Sequence, residues 1–406
     1  MGSTNPLDAR RIALGVTGSI AAYKAVAVAS ALVQQGALVD VVMTPEAAQL
    51  VQPLSFQAIT HRAVSLDMFH LLAETEIGHV SIGRAAEAYV IAPATAHTIA
   101  KLALGLADDM VTTTALATTA PVVLAPAMET AMWRNAATQS HVASLRQRGW
   151  TIVEPGIGHL ASGASGEGRL ADPAWIVDVT KHVLAASGDL SGRRVVVTAG
   201  GTREPIDPVR FIGNRSSGKM GFALSEAARD RGASVTLITT VEPEPRAGVT
   251  VLRVERAAEM RDAVLALLPN VDTLIMAAAV ADYAPAEAAA QKIKKGGQEL
   301  SIQLALTPDV LADVAAVKAG AARPVVVGFA AETQDVLANA KQKLVRKGLD
   351  LLVANDVSRS DIGFGSDFNL VTLLYPDGRH VELPKLPKVD VAHAIWDAVI
   401  PLMGPP

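Results

Sequence analysis

Two short loops in this 406-residue sequence offer the groups a phosphate needs. Gly15-Val16-Thr17-Gly18-Ser19 joins an apolar run to a helix-like stretch, so it presents backbone N–H groups, a pair of hydroxyls and a helix N-terminus. In the second half, Gly200, Gly201 and the turn Ser216-Ser217-Gly218-Lys219-Met220-Gly221 repeat that chemistry ahead of another helix-like stretch. Neither loop has the spacing of GxGxxG or of the lysine-containing P-loop, so Lys219 is not a P-loop lysine. His79 is an acid–base candidate by residue type, although a histidine taken alone is more simply a surface or satisfied core residue. Lys292 opens the run KIKK, which by charge alone reads as a solvated face. Lys343 and Lys347 stand one helical turn apart, and Asp282 follows an apolar run.

The elements that must position these residues are legible from periodicity. RIALGVT is a short apolar run, GSIAAYKAVAVASALVQQG is helix-like and ALVDVVMT is strand-like, which together make a βαβ unit. RRVVVTA, a Gly-rich and Pro-containing loop, MGFALSEAARDRG and ASVTLITT restart the pattern. Two Rossmann-like three-layer α/β domains follow, with a boundary in AASGDLSGR that divides the chain into 1–188 and 189–406. Further strands are expected at AYVIAPA, PVVLAPA, TLIMAAA, PVVVGFA and LLVAND. Ligands of open parallel sheets sit beyond the carboxyl ends of the strands. Thr17, Thr44, Pro93, Pro126, Gly200, Ala278, Phe329 and Asn355 should therefore gather around sites.

Composition narrows the function classes. A formal charge of −4 gives no electrostatic footprint for nucleic acid or an anionic membrane. No apolar stretch reaches the roughly 18 residues of a membrane span, and Thr17, Gly18, Ser19 and Lys24 interrupt the signal-like segment Ile12–Leu32. The chain has no cysteine, which excludes disulfides, thiolate metal sites and cysteine catalysis and fits the reducing cytoplasm.

GVTGSIAAYKA, IGHVSIGRAAEAYVIAPATAHTIAKLALGLADD and APAMETAMW resemble the homo-oligomeric flavin-containing cysteine decarboxylases over residues 10 to 180. The resemblance implies a flavodoxin-like domain with FMN held by Gly18 and Ser19, by Thr44 and by the APAT segment around Thr95. It makes His79 the family's active-site histidine. Two positions depart from the family. Glu129 replaces an asparagine in Pro126-Ala127-Met128-Glu129, and Ser162 in HLASGASGEGRLADP stands near the place of a proton-donating cysteine. A serine hydroxyl is a far weaker acid than a thiol. Three accounts remain open: another group protonates the enethiolate, an enethiol is released, or this half is inactive. The first is favoured, with Glu129 as donor and Ser162 orienting the sulfur, because a carboxylic acid closed under a flap away from water is a competent donor.

From Arg194 onward, TAGGTREPIDPVRFIGNRSSGKMG, AAAVADY, KIKK, VGFAAET and ANDVS resemble phosphopantothenate–cysteine ligase in its bacterial, CTP-using form. The whole chain is thus similar to the bifunctional phosphopantothenoylcysteine decarboxylase and phosphopantothenate–cysteine ligase family of coenzyme A synthesis. Activating a carboxylate with a nucleotide needs triphosphate donors, a metal ligand and a cation for the transition state. The resemblance gives Asn214 the acyl-cytidylate and Lys292 the activation step. It gives Asp282 the nucleotide or its Mg²⁺, and Ala278, Phe329, Lys343 and Lys347 the nucleotide. Phosphopantothenate, cysteine and CTP are the implied substrates, and decarboxylase trimers joined by ligase dimers into a dodecamer are the implied assembly. The competing readings are an active ligase fused to a non-catalytic or enethiol-forming flavoprotein, and an NAD(P)-dependent reductase, which the missing GxGxxG opposes.

Overall fold

The computed structural model describes residues 5–68, 78–295, 300–318, 323–332, 336–356 and 366–404. The chain divides into two compact units, Met1–Ala186 and Ser187–Pro406.

The first unit is built on five parallel strands: β1 (Arg11–Val16), β2 (Leu38–Met43), β3 (Ala88–Ala94), β4 (Val122–Pro126) and β5 (Thr151–Ile152). Their order, β2-β1-β3-β4-β5, is the flavodoxin-like one, whose topological switch falls between β1 and β3. Every residue of β3 and β4 is buried, as helices on both faces of a parallel sheet require. On one face Tyr89, Ile91, Ile99, Met110, Leu124 and Trp133 pack together; helices Ala22–Gln34 and Pro173–Ala185 pack on each other elsewhere in the unit. Gly15 has a packing reason: a Cβ there would lie 2.6 Å from the Tyr89 hydroxyl. An antiparallel hairpin of β6 (Gly156–His159) and β7 (Ser165–Arg169) follows the sheet. The first helix begins at Ala22 rather than at the glycine loop, because Ser19 N–H closes onto Thr17 O and Ala22 N–H onto Ser19 O.

The second unit opens with β8 (Arg194–Ala199) and a hairpin of β9 (Arg203–Pro205) and β10 (Phe211–Gly213). It continues through β11 (Ser234–Thr239), β12 (Val249–Arg253), β13 (Thr273–Met276) and a second hairpin of β14 (Tyr283–Pro285) and β15 (Leu304–Leu306). Then come β16 (Val325–Glu332), β17 (Leu351–Asp356), β18 (Phe368–Asn369), β19 (Val371–Leu374), β20 (His380–Glu382) and β21 (Leu386–Pro387). The main sheet runs β12-β11-β8-β13-β16-β17-β19-β20, parallel through β17 and antiparallel beyond. Its six parallel strands follow the Rossmann order, so the switch point lies between β8 and β13. Helices Lys219–Asp230 and Lys388–Met403 pack on each other, and fully buried Trp396 donates its indole N–H to Leu224 O at 3.0 Å. Gly221 lets the first of them approach β8, since a Cβ there would sit 2.6 Å from Ala199 Cβ. Among the described residues no helix is long and apolar enough to cross a membrane.

Candidate functional sites

At the switch point of the first sheet, backbone and hydroxyl hydrogen bonds tie together the loops that follow the strands. The fully buried Thr17 hydroxyl donates to Pro93 O at 2.7 Å and accepts from Thr95 N–H at 3.1 Å. Thr44 N–H donates to Val16 O at 3.0 Å, and Ser19 Oγ makes a long 3.4 Å contact with Ala127 O. Thr44 and Thr95 each cap a helix, accepting from Ala47 N–H and Thr98 N–H. Gly18 allows the first loop to touch the Thr44-capped helix, for a Cβ would meet Glu46 Cβ at 2.5 Å. Gly18, Ser19, Thr44 and Thr95 thus share one edge of the sheet.

The hairpin is fastened beside this edge. Met128 N–H donates to Gly168 O at 2.9 Å, the Thr130 hydroxyl to Glu167 O at 2.6 Å, and Arg134 pairs with Glu167 at 3.0 Å. Gly168 has φ +131, and a side chain there would run into Met128 O. At the hairpin tip, the exposed Ser162 hydroxyl donates to Glu129 Oε2 at 2.8 Å and accepts from Ala164 N–H at 3.3 Å. The two positions where the sequence departs from the decarboxylase pattern are therefore in direct contact across 33 residues. His79 lies in helix Gly78–Ala85, partly buried, and among the described residues its buried Nδ1 has no hydrogen-bond partner. Ile77 of the same motif lies outside the described residues.

In the second unit a cleft of about 410 Å³ opens at the switch point. The turn Asn214–Gly221, the segment Ala277–Val280, Asp282, Phe329 and Lys343 line it. The loops after β8 and β13 are laced together: Ala279 N–H donates to Gly200 O at 2.8 Å, and Thr202 Oγ accepts from Ala281 N–H at 2.9 Å. Asn214 Nδ2 donates to Val280 O at 3.0 Å, and Gly201 is required because a Cβ would collide with Asn214 O. Gly218, at φ +77, starts helix Lys219–Asp230, whose first turn lines the cleft and whose first N–H groups have no acceptor within the helix. Lys343 Nζ donates to Phe329 O at 2.8 Å.

Asn214, Ala278, Asp282, Phe329 and Lys343 are brought together in this cleft, whereas Lys292 and Lys347 are not among its lining residues. Lys347 follows the helix Val336–Arg346 and is ion-paired with Asp309. Lys292 is exposed, but its neighbour Ile293 is clamped: Ile293 N–H donates to Asp207 Oδ2 at 3.2 Å and Arg210 Nη2 donates to Ile293 O at 2.8 Å. Burial acts to raise the Asp207 pKa, yet the N–H donors of Val209, Ile293 and Arg210 and the Arg210 charge outweigh it and hold the carboxyl below the usual range. Among the described residues no three acidic or histidine side chains cluster as a metal site, leaving Asp282 as a single carboxylate in the cleft. Thr333, Val357 and Ser358 of the quoted motifs lie outside the described residues. Asn369 and Lys388 also line the cleft, although no motif or spacing singles them out.

Residues 2–185 match the Flavoprotein family, and residues 190–402 match the DNA/pantothenate metabolism flavoprotein C-terminal domain. The coenzyme A biosynthesis bifunctional protein CoaBC of Bacillus subtilis (strain 168) is 44% identical to this chain over 400 residues, covering 98% of each. Among solved structures, the C-terminal domain of a coenzyme A biosynthesis bifunctional protein CoaBC is 38% identical, covering 53% of this chain and 98% of its own, with a TM-score of 0.45. The FMN-dependent cysteine decarboxylase SpaF is 36% identical, covering 42% of this chain and 97% of its own, with a TM-score of 0.37. With near-complete coverage at this identity and both halves matched in order, the chain belongs to the family of coenzyme A biosynthesis bifunctional proteins.

Proposed function

We propose that the second unit joins cysteine to 4'-phosphopantothenate at the expense of CTP and that the first unit decarboxylates the product to 4'-phosphopantetheine. The observation that carries this reading is the cleft at the β8/β13 switch point, where a helix N-terminus, an amide, a carboxylate and a lysine converge. The backbone N–H groups around Gly218 suit the nucleotide phosphates. Asp282 suits Mg²⁺, an ion that commonly takes one or two carboxylates and completes its shell with phosphate oxygens and water. Ala278, Phe329 and Lys343 line the same cleft and would contact the nucleotide. The phosphopantothenate carboxylate attacks the α-phosphorus of CTP, pyrophosphate leaves, and Lys292 offsets the charge that develops. The Asn214 amide then holds the acyl-cytidylate while the cysteine amine attacks its carbonyl carbon and CMP leaves. Lys347 reaches the triphosphate only by exchanging Asp309 for it.

In the first unit, Gly18, Ser19, Thr44 and Thr95 would hold FMN, and His79 Nδ1, buried without a partner among the described residues, fits a site that expects a ligand. When bound, FMN supplies reversible two-electron oxidation of the cysteinyl side chain, which eases loss of the neighbouring carboxylate as CO₂. His79 serves the decarboxylation step, Glu129 returns the last proton, and Ser162 fixes the direction of the Glu129 carboxyl through their hydrogen bond. Assembly of the first units into trimers, joined by ligase dimers in the cytoplasm, is the arrangement that the family resemblance implies.

The ligase reading is tested by pyrophosphate release. Release should require CTP, Mg²⁺ and phosphopantothenate together; release without phosphopantothenate, or none with all three, refutes it. A chain ended at Ala186, the limit of the first compact unit, is expected to fold as an oligomer and carry yellow FMN. Folded protein that stays colourless after reconstitution with FMN would contradict the flavin assignment.

A further inference from the structure

The end of the ligase cleft beside helix Lys219–Asp230 is built by residues far away in sequence. β18 pairs antiparallel with β21, placing Asn369 opposite Leu386, and helix Lys388–Met403 starts immediately afterward. Lys388 N–H donates to Asp367 O at 2.9 Å, and Asp367 Oδ1 lies 2.6 Å from Lys219 Nζ. Asp367, Asn369 and Lys388 therefore surround the start of the helix whose first turn lines the cleft.

Two of these residues are costly as they stand. Lys388 is 9% exposed, and of its three N–H donors one reaches Ser366 O. Burial, and then the nearby Lys219 charge, push its pKa below the ordinary lysine value, with Asp367 opposing. Asn369 is 3% exposed; among the described residues its Nδ2 meets Met220 Sδ at 3.4 Å, and its Oδ1 is buried with no hydrogen-bond partner. A thioether is a weak acceptor that does not fix which way an amide points, so the unpartnered end can equally present NH₂. Buried side-chain amides and lysines are ordinarily satisfied, and both residues line the cleft.

We propose that Lys388 and Asn369 complete a phosphate-binding end of this cleft, acting with the first N–H groups of helix Lys219–Asp230 and with Lys219. A phosphate supplies oxygen acceptors for the ammonium groups, the turned amide and the helix N–H groups at once. Asp367 keeps Lys219 paired before the anion arrives. The two lysines against one carboxylate leave a single positive charge, which suits a phosphate anion better than a neutral group. The assignment rests on the ligase reading for the identity of its ligand. Two groups share the required chemistry: the outer phosphates of the nucleotide and the phosphomonoester of the acyl substrate.

The test uses the full-length protein, with inorganic pyrophosphate and orthophosphate as calorimetric probes and separate KM values for CTP and phosphopantothenate. Lys388→Gln should weaken binding of at least one probe by about tenfold or more, and Lys388→Arg should recover most of it. Asn369→Asp keeps the shape of the side chain, places a negative charge at the site and should weaken the same probe. It stands as the independent variant if Lys388→Gln unfolds. A rise in KM for CTP alone identifies the nucleotide phosphates, and a rise for phosphopantothenate alone identifies the phosphomonoester; both support the site. Folded Lys388→Gln or Asn369→Asp protein with unchanged probe affinities and unchanged KM values overturns it. Wild-type protein that binds pyrophosphate, loses that binding in the variants and yet releases none from CTP upholds the site while refuting the ligase reading.

Discussion

Glutamine in place of Lys292 is expected to slow pyrophosphate release by roughly 10²–10³-fold, the usual cost of removing one preorganised charge-stabilising donor. Lys292 stands next to a fixed point, because Asp207 and Arg210 grip the backbone of Ile293 on both its N–H and C=O sides. The ammonium is thus mounted on a tethered segment rather than on a free surface run. Asn214→Asp should fail at a later stage. Its Nδ2 now donates to Val280 O at 3.0 Å, and an ionised carboxylate there would face that carbonyl with no proton to give. The activation step should survive and the acyl-cytidylate should accumulate, detectable by mass in quenched reactions. Pyrophosphate release and ligation at wild-type rates in both variants would remove the two-stage assignment.

Glu129→Gln should slow formation of the thiol product by about 10²–10⁴-fold, the range for losing a positioned general acid, with an enethiol product accumulating instead. The Ser162 hydroxyl already donates to Glu129 Oε2 at 2.8 Å and is itself held by Ala164 N–H, so the carboxyl is oriented toward the hairpin tip. Glutamine preserves that size and an acceptor oxygen but has no proton of comparable acidity to transfer. His79→Asn should act earlier, abolishing CO₂ release. If Glu129→Gln makes 4'-phosphopantetheine at the wild-type rate while His79→Asn stops CO₂ release, Glu129 is not the donor, and His79, the substrate or water supplies the proton.

The parallel strands were legible because burial on both faces writes them as unbroken apolar runs, as at AYVIAPA and PVVLAPA. The glycine turn before helix Lys219–Asp230 was legible for a related reason, since Gly218 takes a conformation that other residues avoid. The hairpin of β6 and β7 lacks apolar alternation, so its register over Met128 and Glu129 had no periodic signal. Glu129 and Ser162 were both singled out by type, but their contact depends on that register. Lys343 and Lys347 looked equivalent by spacing; only the fold shows one reaching Phe329 O and the other Asp309. Asn369 and Lys388 carry no motif at all. They reach the cleft because β18 and β21 pair and two helices pack, which are contacts between distant segments.

One chain is expected to perform both reactions in sequence. The most direct test is mass analysis of the products formed when purified protein carrying FMN receives phosphopantothenate, cysteine, CTP and Mg²⁺. CMP, pyrophosphate, CO₂ and 4'-phosphopantetheine are expected, with phosphopantothenoylcysteine as a transient; accumulation of phosphopantothenoylcysteine or of the enethiol as the final product would show that the two reactions do not run in sequence on this chain.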